Sequence, residues 1–118
     1  MTPLRQRRLA VDRIVEYLCT TPALSSELTQ LCRIASVSER TLQYAFNERY
    51  GMPPNAFVKR WKLNTARRVL LHAEPSQTTV TQVALDLGFA HPSQFATDYR
   101  RLFGELPSQT LRREAMLR

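Results

Sequence analysis

Glycine is scarce in this chain of 118 residues: Gly51, Gly88 and Gly104 are the only three. That leaves no glycine-rich loop to cradle a phosphate. Cysteine is as sparse. Cys19 and Cys32 stand apart, with no CxxC and no metal-ligand spacing, so neither a metal site nor a disulfide framework is expected. Both fall in apolar helical patterns and are expected to be buried, reduced thiols. The two histidines, His72 and His91, are far apart in sequence, and no paired acids or nucleophile motif accompanies them. The chain is therefore read as no enzyme, with no cofactor and no catalytic metal. No signal peptide or membrane span is visible, which points to a reducing cytoplasm and no membrane partner. No segment alternates polar and apolar residues for long enough to be a strand. The expected fold class is all-α, with about seven helices.

Lysine is nearly missing too. Of the 17 basic side chains only Lys59 and Lys62 are lysine; the rest are arginine. The formal net charge is +7 and the isoelectric point about 10.3. Such a surface suits a polyanion, and the planar guanidinium fork suits phosphate and guanine edges. A merely soluble basic protein would share the charge but not the pattern that follows.

The chain repeats itself. Leu28-Thr29-Gln30-Leu31-Cys32, Ser36-Val37-Ser38, Leu42, Phe46, Tyr50-Gly51 and Pro54 are echoed by Val80-Thr81-Gln82-Val83-Ala84, Gly88-Phe89, Phe95, Tyr99, Phe103-Gly104 and Pro107. The offset is about 52 residues in the first half of the unit and about 53 in the second, so one residue is inserted at the turn. A short helix, a tight turn and a longer helix, stated twice, spell two helix-turn-helix units.

Periodicity sets the elements. Helix 1 is expected over about Gln6 to Cys19, with an apolar stripe of Leu9, Ile14, Val15, Leu18 and Cys19. Helix 2 runs from near Ser26 to Ala35. Helix 3 follows a Ser38 cap, buries Leu42, Ala45, Phe46 and Tyr50, and stops at Gly51. Helix 4 opens after Pro54-Asn55 and reaches about His72, on the order of 27 Å. Its core contacts are expected from Phe57, Leu63, Ala66, Val69 and Leu70, its wet side from Lys59, Arg60, Arg67 and Arg68. Helix 5 covers about Val80 to Leu87 after a Thr79 cap. Helix 6 covers about Pro92 to Phe103, with proline at the first helical position. Helix 7 runs from near Ser108 to about Ala115. This divides the chain into a first subdomain (about 6–54), a connecting helix (about 55–73) and a second subdomain (about 79–115), which together make one domain over 1–118.

A helix-turn-helix needs a short amphipathic helix, a small residue where the helices meet and a permissive turn. It also needs a second helix that buries one stripe and leaves the other face free for the major groove. Cys32 and Ala84 are the small residues; Ser36-Val37 and Gly88-Phe89 are the turns. With its stripe buried, helix 3 leaves Glu39, Arg40, Gln43, Tyr44 and Asn47 outside. Arg40 and Gln43 can make bidentate contacts to guanine and adenine; Tyr44 suits a phosphate or a thymine methyl. Helix 6 leaves Pro92, Ser93, Gln94, Ala96, Thr97 and Arg100 outside. Gln94 and Thr97 are the base readers, while Arg100 and Arg101 suit phosphate.

Val83-Ala84, Leu87-Gly88-Phe89, Ser93-Gln94-Phe95 and Tyr99-Arg100-Arg101-Leu102-Phe103-Gly104-Glu105-Leu106-Pro107-Ser108 together resemble a known signature, that of the C-terminal DNA-binding domain of AraC/XylS-type transcription regulators. Ser38, Leu42, Phe46, Gly51 and Pro54 resemble the matching upstream unit. The resemblance spans about Ser25 to Arg113. It implies two helix-turn-helix subdomains joined by a long helix and reading adjacent major-groove segments of double-stranded DNA. By position it implies base contacts from Arg40, Gln43, Tyr44, Pro92, Ser93, Gln94, Ala96 and Thr97. The phosphate partners expected are Arg49, Arg100, Arg101 and Arg112. Pro92 and Ala96 have no side-chain donor, so helix 6 is expected to read less sequence than is usual. Thr97 stands where many members carry arginine, which moves phosphate duty to Arg100 or Arg101.

Regulators of this type usually carry a sensing domain, and an effector ligand would bind there, outside this chain. RNA polymerase is the further partner expected. The short lead-in, Met1 to Arg5, favours a piece of a longer regulator over a stand-alone member. His91 is expected to cap helix 6, His72 to face the helix 4 dipole, and Asp86 to pair with an arginine. Arg112 and Arg113 serve equally as DNA-backbone contacts or as a solvated tail. The alternative function is a helical protein-interaction adaptor, for instance on RNA polymerase. It needs an exposed apolar patch, for which Trp61 with Val58 is the only candidate.

Overall fold

The structure is a computed structural model that describes residues 3–117 except residue 24, with side chains described to Arg113. Among the described residues there are seven helices and no strand: α1 (Leu4–Thr20), α2 (Leu28–Ala35), α3 (Glu39–Tyr50), α4 (Pro54–His72), α5 (Val80–Asp86), α6 (Pro92–Phe103) and α7 (Pro107–Leu117). The all-α expectation holds. Met1 and Thr2, the start of the expected lead-in, lie outside the described residues.

The chain forms two compact units, Met1–Trp61 and Lys62–Arg118. In the first, α1, α2 and α3 pack on one another around Ile14, Leu18, Leu31, Leu42, Phe46 and Val58. In the second, α5, α6 and α7 enclose Leu70, Val83, Ala84, Phe95 and Tyr99. The boundary between units falls inside α4. Its first half gives Val58, Phe57 and Trp61 to the first core, and its second half gives Leu63, Ala66 and Leu70 to the second. Each repeat is too small to bury a core unaided, and each takes half of α4 as its extra helix.

Local chemistry explains the ends. Ser38 accepts from the Thr41 amide at 3.2 Å, capping α3, and Thr79 does the same for Gln82 at 3.1 Å, capping α5. Gly51 (φ +69°) and Gly104 (φ +78°) close α3 and α6 in the left-handed region. Pro54 begins α4, earlier than expected, because the first helical residue needs no hydrogen-bonded amide. The same reasoning starts α7 at Pro107. The N-cap of α2 is Glu27, so α2 begins at Leu28 rather than near Ser26.

Several expected core positions are corrected. Leu9, Cys19 and Val69 are exposed. Each sits one residue, or about 100° of helix, away from a neighbour that fills the core slot: Ala10, Leu18 and Leu70. Arg67, expected on the wet side, is half-buried: its guanidinium lies 4.9 Å from the centre of the Phe103 ring and 3.9 Å from Glu105. Val58, half of the only candidate apolar patch, is 0% exposed, and Trp61 packs beside the first core. The patch on which the adaptor reading relied is therefore not exposed.

Candidate nucleic-acid interface

The turn that aims each second helix is built by one left-handed residue. In the first unit it is Ser36, at φ +58° the only non-glycine with positive φ among the described residues. In the second it is Gly88, at φ +82°. The backbone closes the same way in both: Val37 donates to the Cys32 carbonyl at 3.3 Å, and Phe89 to the Ala84 carbonyl at 2.9 Å. The one-residue difference in spacing is absorbed between this turn and the next helix. Cys32 and Ala84, the expected small residues, thus mark where the turn is tied back. Burial pushes the Cys32 thiol upward, with the nearby Glu39 carboxylate adding to the effect.

On α3, Leu42, Ala45 and Phe46 are buried and Tyr50 is half-buried. Arg40, Gln43, Tyr44 and Asn47 are exposed together on the opposite side. Tyr44 is 49% exposed yet not loose: the Arg7 guanidinium of α1 lies 5.0 Å from its ring centre and bonds Glu48 at 3.1 Å. Arg49, expected to meet phosphate, is exposed but bonded to Asp12 of α1 at 2.9 Å, which raises its already high pKa. It lines the groove between α1 and α3 with Arg7, Arg8 and Glu48, a different side of the helix from Gln43.

On α6, Phe95 and Tyr99 are buried, while Ser93, Gln94, Thr97, Arg100 and Arg101 are exposed together. Pro92 is the first helical residue, and Ala96 is half-buried at the margin of this face. The hydroxyl of Thr97 donates to the Ser93 carbonyl at 3.1 Å, leaving its oxygen outward as an acceptor. Gln94 Nε2 donates to Asp98 Oδ1 at 3.0 Å. His91 occupies the N-cap position but makes no side-chain cap bond. Arg112 is exposed on α7 and bonds back to the Ser108 carbonyl, at 3.4 Å. Asp86 accepts from Gln82 at 2.8 Å rather than from an arginine.

Sequence reading missed four supports of these helices. Arg7 is the prop under Tyr44. Lys62 is 4% exposed, with its ammonium 5.8 Å from the centre of the Phe89 ring, just beyond the Gly88 turn; burial holds its pKa below the usual lysine value. Its burial was legible, because Val58, Lys62, Ala66 and Leu70 fall four apart on α4. Asp98 is 7% exposed on a helix otherwise buried through aromatic rings. Glu105 is the hub of the fourth support. Thr110 donates to its Oε2, Arg113 to its Oε1 at 2.7 Å, and the buried Tyr99 hydroxyl donates to Thr110 Oγ1 at 2.8 Å. The Thr110 hydroxyl, then Arg113 and Arg67, hold the Glu105 carboxyl below its ordinary range.

Known proteins share this arrangement. A family model described as a helix-turn-helix domain matches residues 31–113. The chain is 37% identical over 89% of its length to the XylDLEGF operon transcriptional activator 3 of Pseudomonas putida, covering 32% of that protein. It is equally 37% identical over 89% of its length to a probable thc operon regulatory protein of Rhodococcus erythropolis, covering 30% of it. The chain thus spans about a third of the length of these curated relatives. A solved structure of a probable AraC family transcriptional regulator from Rhodopseudomonas palustris matches with a TM-score of 0.74 and 39% identity, over 89% of this chain and 96% of that one. The DNA-binding domain of AdpA, solved in complex with a target DNA, shares the fold with a TM-score of 0.79 at 23% identity, over 93% of this chain and 96% of that one.

Proposed function

The chain belongs to the AraC/XylS family of helix-turn-helix transcription regulators, and from that premise we propose that it binds double-stranded DNA sequence-specifically, inserting α3 and α6 into successive major-groove segments. One observation carries this reading: both repeats fold as helix-turn-helix units, and each leaves on its second helix an exposed face bearing hydrogen-bonding side chains. The whole of 1–118 then serves as one DNA-binding domain. Its subdomains are about 6–54 and 79–115, with a connecting helix at about 55–73.

Arg40, Gln43 and Tyr44 read bases from α3. Ser93, Gln94 and Thr97 read them from α6, with Pro92 and Ala96 contributing shape alone. Arg100, Arg101 and Arg112 meet phosphate. Arg49 serves first as the partner of Asp12 and reaches the backbone only if that exposed pair opens, at a cost of about 1 kcal/mol or less. The XylDLEGF relative is named an operon activator, which supports activation, for which RNA polymerase is the natural partner of the full-length protein. An effector would act through a sensing domain elsewhere in it. No helix among the described residues is long and apolar enough to cross a membrane; a regulator that finds chromosomal DNA works in the cytoplasm, and its chemistry is recognition, not catalysis.

Selection of bound duplexes from a random pool tests this reading. The expected product is two short preferred blocks. Gln43→Ala should erase preference at one base pair of one block and leave the other block intact. A selected pool with no preference, or a uniform loss across all sequences, would overturn the assignment.

A further inference from the structure

The two repeats act as controls for each other, and one buried position of the second helix carries a charged side chain in one repeat only. In register, Leu42, Phe46 and Gly51 correspond to Phe95, Tyr99 and Gly104. The same register sets Thr41 against Gln94 and Ala45 against Asp98. Ala45 is 2% exposed and closes the α3 stripe as a plain methyl group. Asp98 puts a carboxylate into the same slot at 7% exposure, where its charged form loses most of its hydration. The first unit packs the matching slot with alanine. Gln94 stands one turn before Asp98, as Thr41 stands before Ala45, so the two departures come as a bonded pair.

That bond fixes which way the glutamine amide faces. A carboxylate only accepts, so the amide nitrogen must turn toward Asp98, and Nε2 lies 3.0 Å from Oδ1. Rotating the amide by half a turn would set two oxygens against each other. The carbonyl Oε1 is thereby kept for whatever meets the exposed side of α6. We propose that Asp98 is a positioning residue that locks Gln94 as an acceptor-presenting reader, which selects a base carrying an exocyclic amino group in the major groove, cytosine N4 or adenine N6. The inference rests on the DNA-binding reading above and adds to it a source of specificity inside the protein. Asp98 contacts no base itself; it disfavours the flipped amide of Gln94, with nitrogen outward and oxygen inward, which is the state best suited to guanine or thymine.

The test is the base preference of the whole chain, measured by selection and by competition titrations on the selected duplex with each of the four base pairs at the Gln94 position. Wild type should favour cytosine or adenine there by roughly five-fold or more over the other two. Gln94→Ala should erase that preference. Asp98→Ala, which copies the slot of the first unit, should reduce it to within about two-fold, with preferences at the other positions unchanged. In the Gln94→Ala background Asp98→Ala should change nothing further, whereas a merely structural role would weaken both backgrounds alike. Asp98→Asn should behave as Asp98→Ala, because its amide can accept as well as donate. A preference retained in Asp98→Ala, a wild-type preference for guanine or thymine, or an unchanged profile in Gln94→Ala each overturns the inference while leaving DNA binding in place. A chain with no duplex preference at all overturns the reading beneath it.

Discussion

Replacing Thr110 by valine should cost the second unit more than any other change of similar size, because one hydroxyl serves two partners. Thr110 is fully buried between Tyr99 and Glu105. Its oxygen accepts from the Tyr99 hydroxyl, itself on a fully buried side chain, and its hydrogen goes to a carboxylate that is 17% exposed. Valine keeps the shape and removes both functions. The Tyr99 hydroxyl then loses its acceptor in a dry site, about 1–3 kcal/mol. Glu105 loses a charge-assisted bond worth about 1.5–3 kcal/mol, partly recovered from Arg113, Arg67 and solvent. A total of about 2–4 kcal/mol follows. Tyr99→Phe removes only the first donor and strands no buried hydrogen, so about 0.5–1.5 kcal/mol is expected.

The pH dependence carries a sign. Because the Glu105 carboxyl is held below its ordinary value of 4.5, its share of stability is present above that pH and drains away as pH falls through the lowered value. The gap between wild type and Thr110→Val should therefore be widest near neutrality and narrow below about pH 4.5. The gap for Tyr99→Phe should stay nearly flat. Amide exchange in α6 and α7, followed with urea unfolding at neutral and acid pH, reports this unit directly. A Thr110→Val cost below about 1 kcal/mol, equal costs for the two variants, or a gap that ignores pH would refute the reasoning.

The turns offer a matched pair. Ser36→Gly should stabilise the first unit by about 0.5–1 kcal/mol, whereas Gly88→Ala should destabilise the second by about 1 kcal/mol or more; opposite signs in thermal unfolding check it. Arg100→Ala and Arg101→Ala should weaken binding to all duplexes alike and each flatten the log affinity against log salt slope by about 1, seen in titrations at several salt concentrations. The thiols should react in order, exposed Cys19 before half-buried Cys32, whose raised pKa leaves it less thiolate at neutral pH; timed alkylation read by mass spectrometry would show it.

The amino-acid order by itself determined the fold class, the repeat, the helix stops and the exposed face of each second helix. Those rest on local rules: apolar side chains every three to four residues, hydroxyl caps at Ser38 and Thr79, and glycine where φ turns positive. It also put Leu9, Cys19 and Val69 in the core, because periodicity alone cannot choose between adjacent slots when both are apolar. Tertiary structure made those choices, since only one neighbour of each pair faces another helix. It also decided the polar supports. Arg7 beneath Tyr44, and Glu105 bound by Arg113 and Arg67, join residues too far apart in sequence for any pattern to pair them. Asp98 is the instructive case. Its spacing from Gln94 was legible, but its burial and the direction of their bond follow from the packing around α6, because the side of a helix that turns inward is fixed by what lies against it.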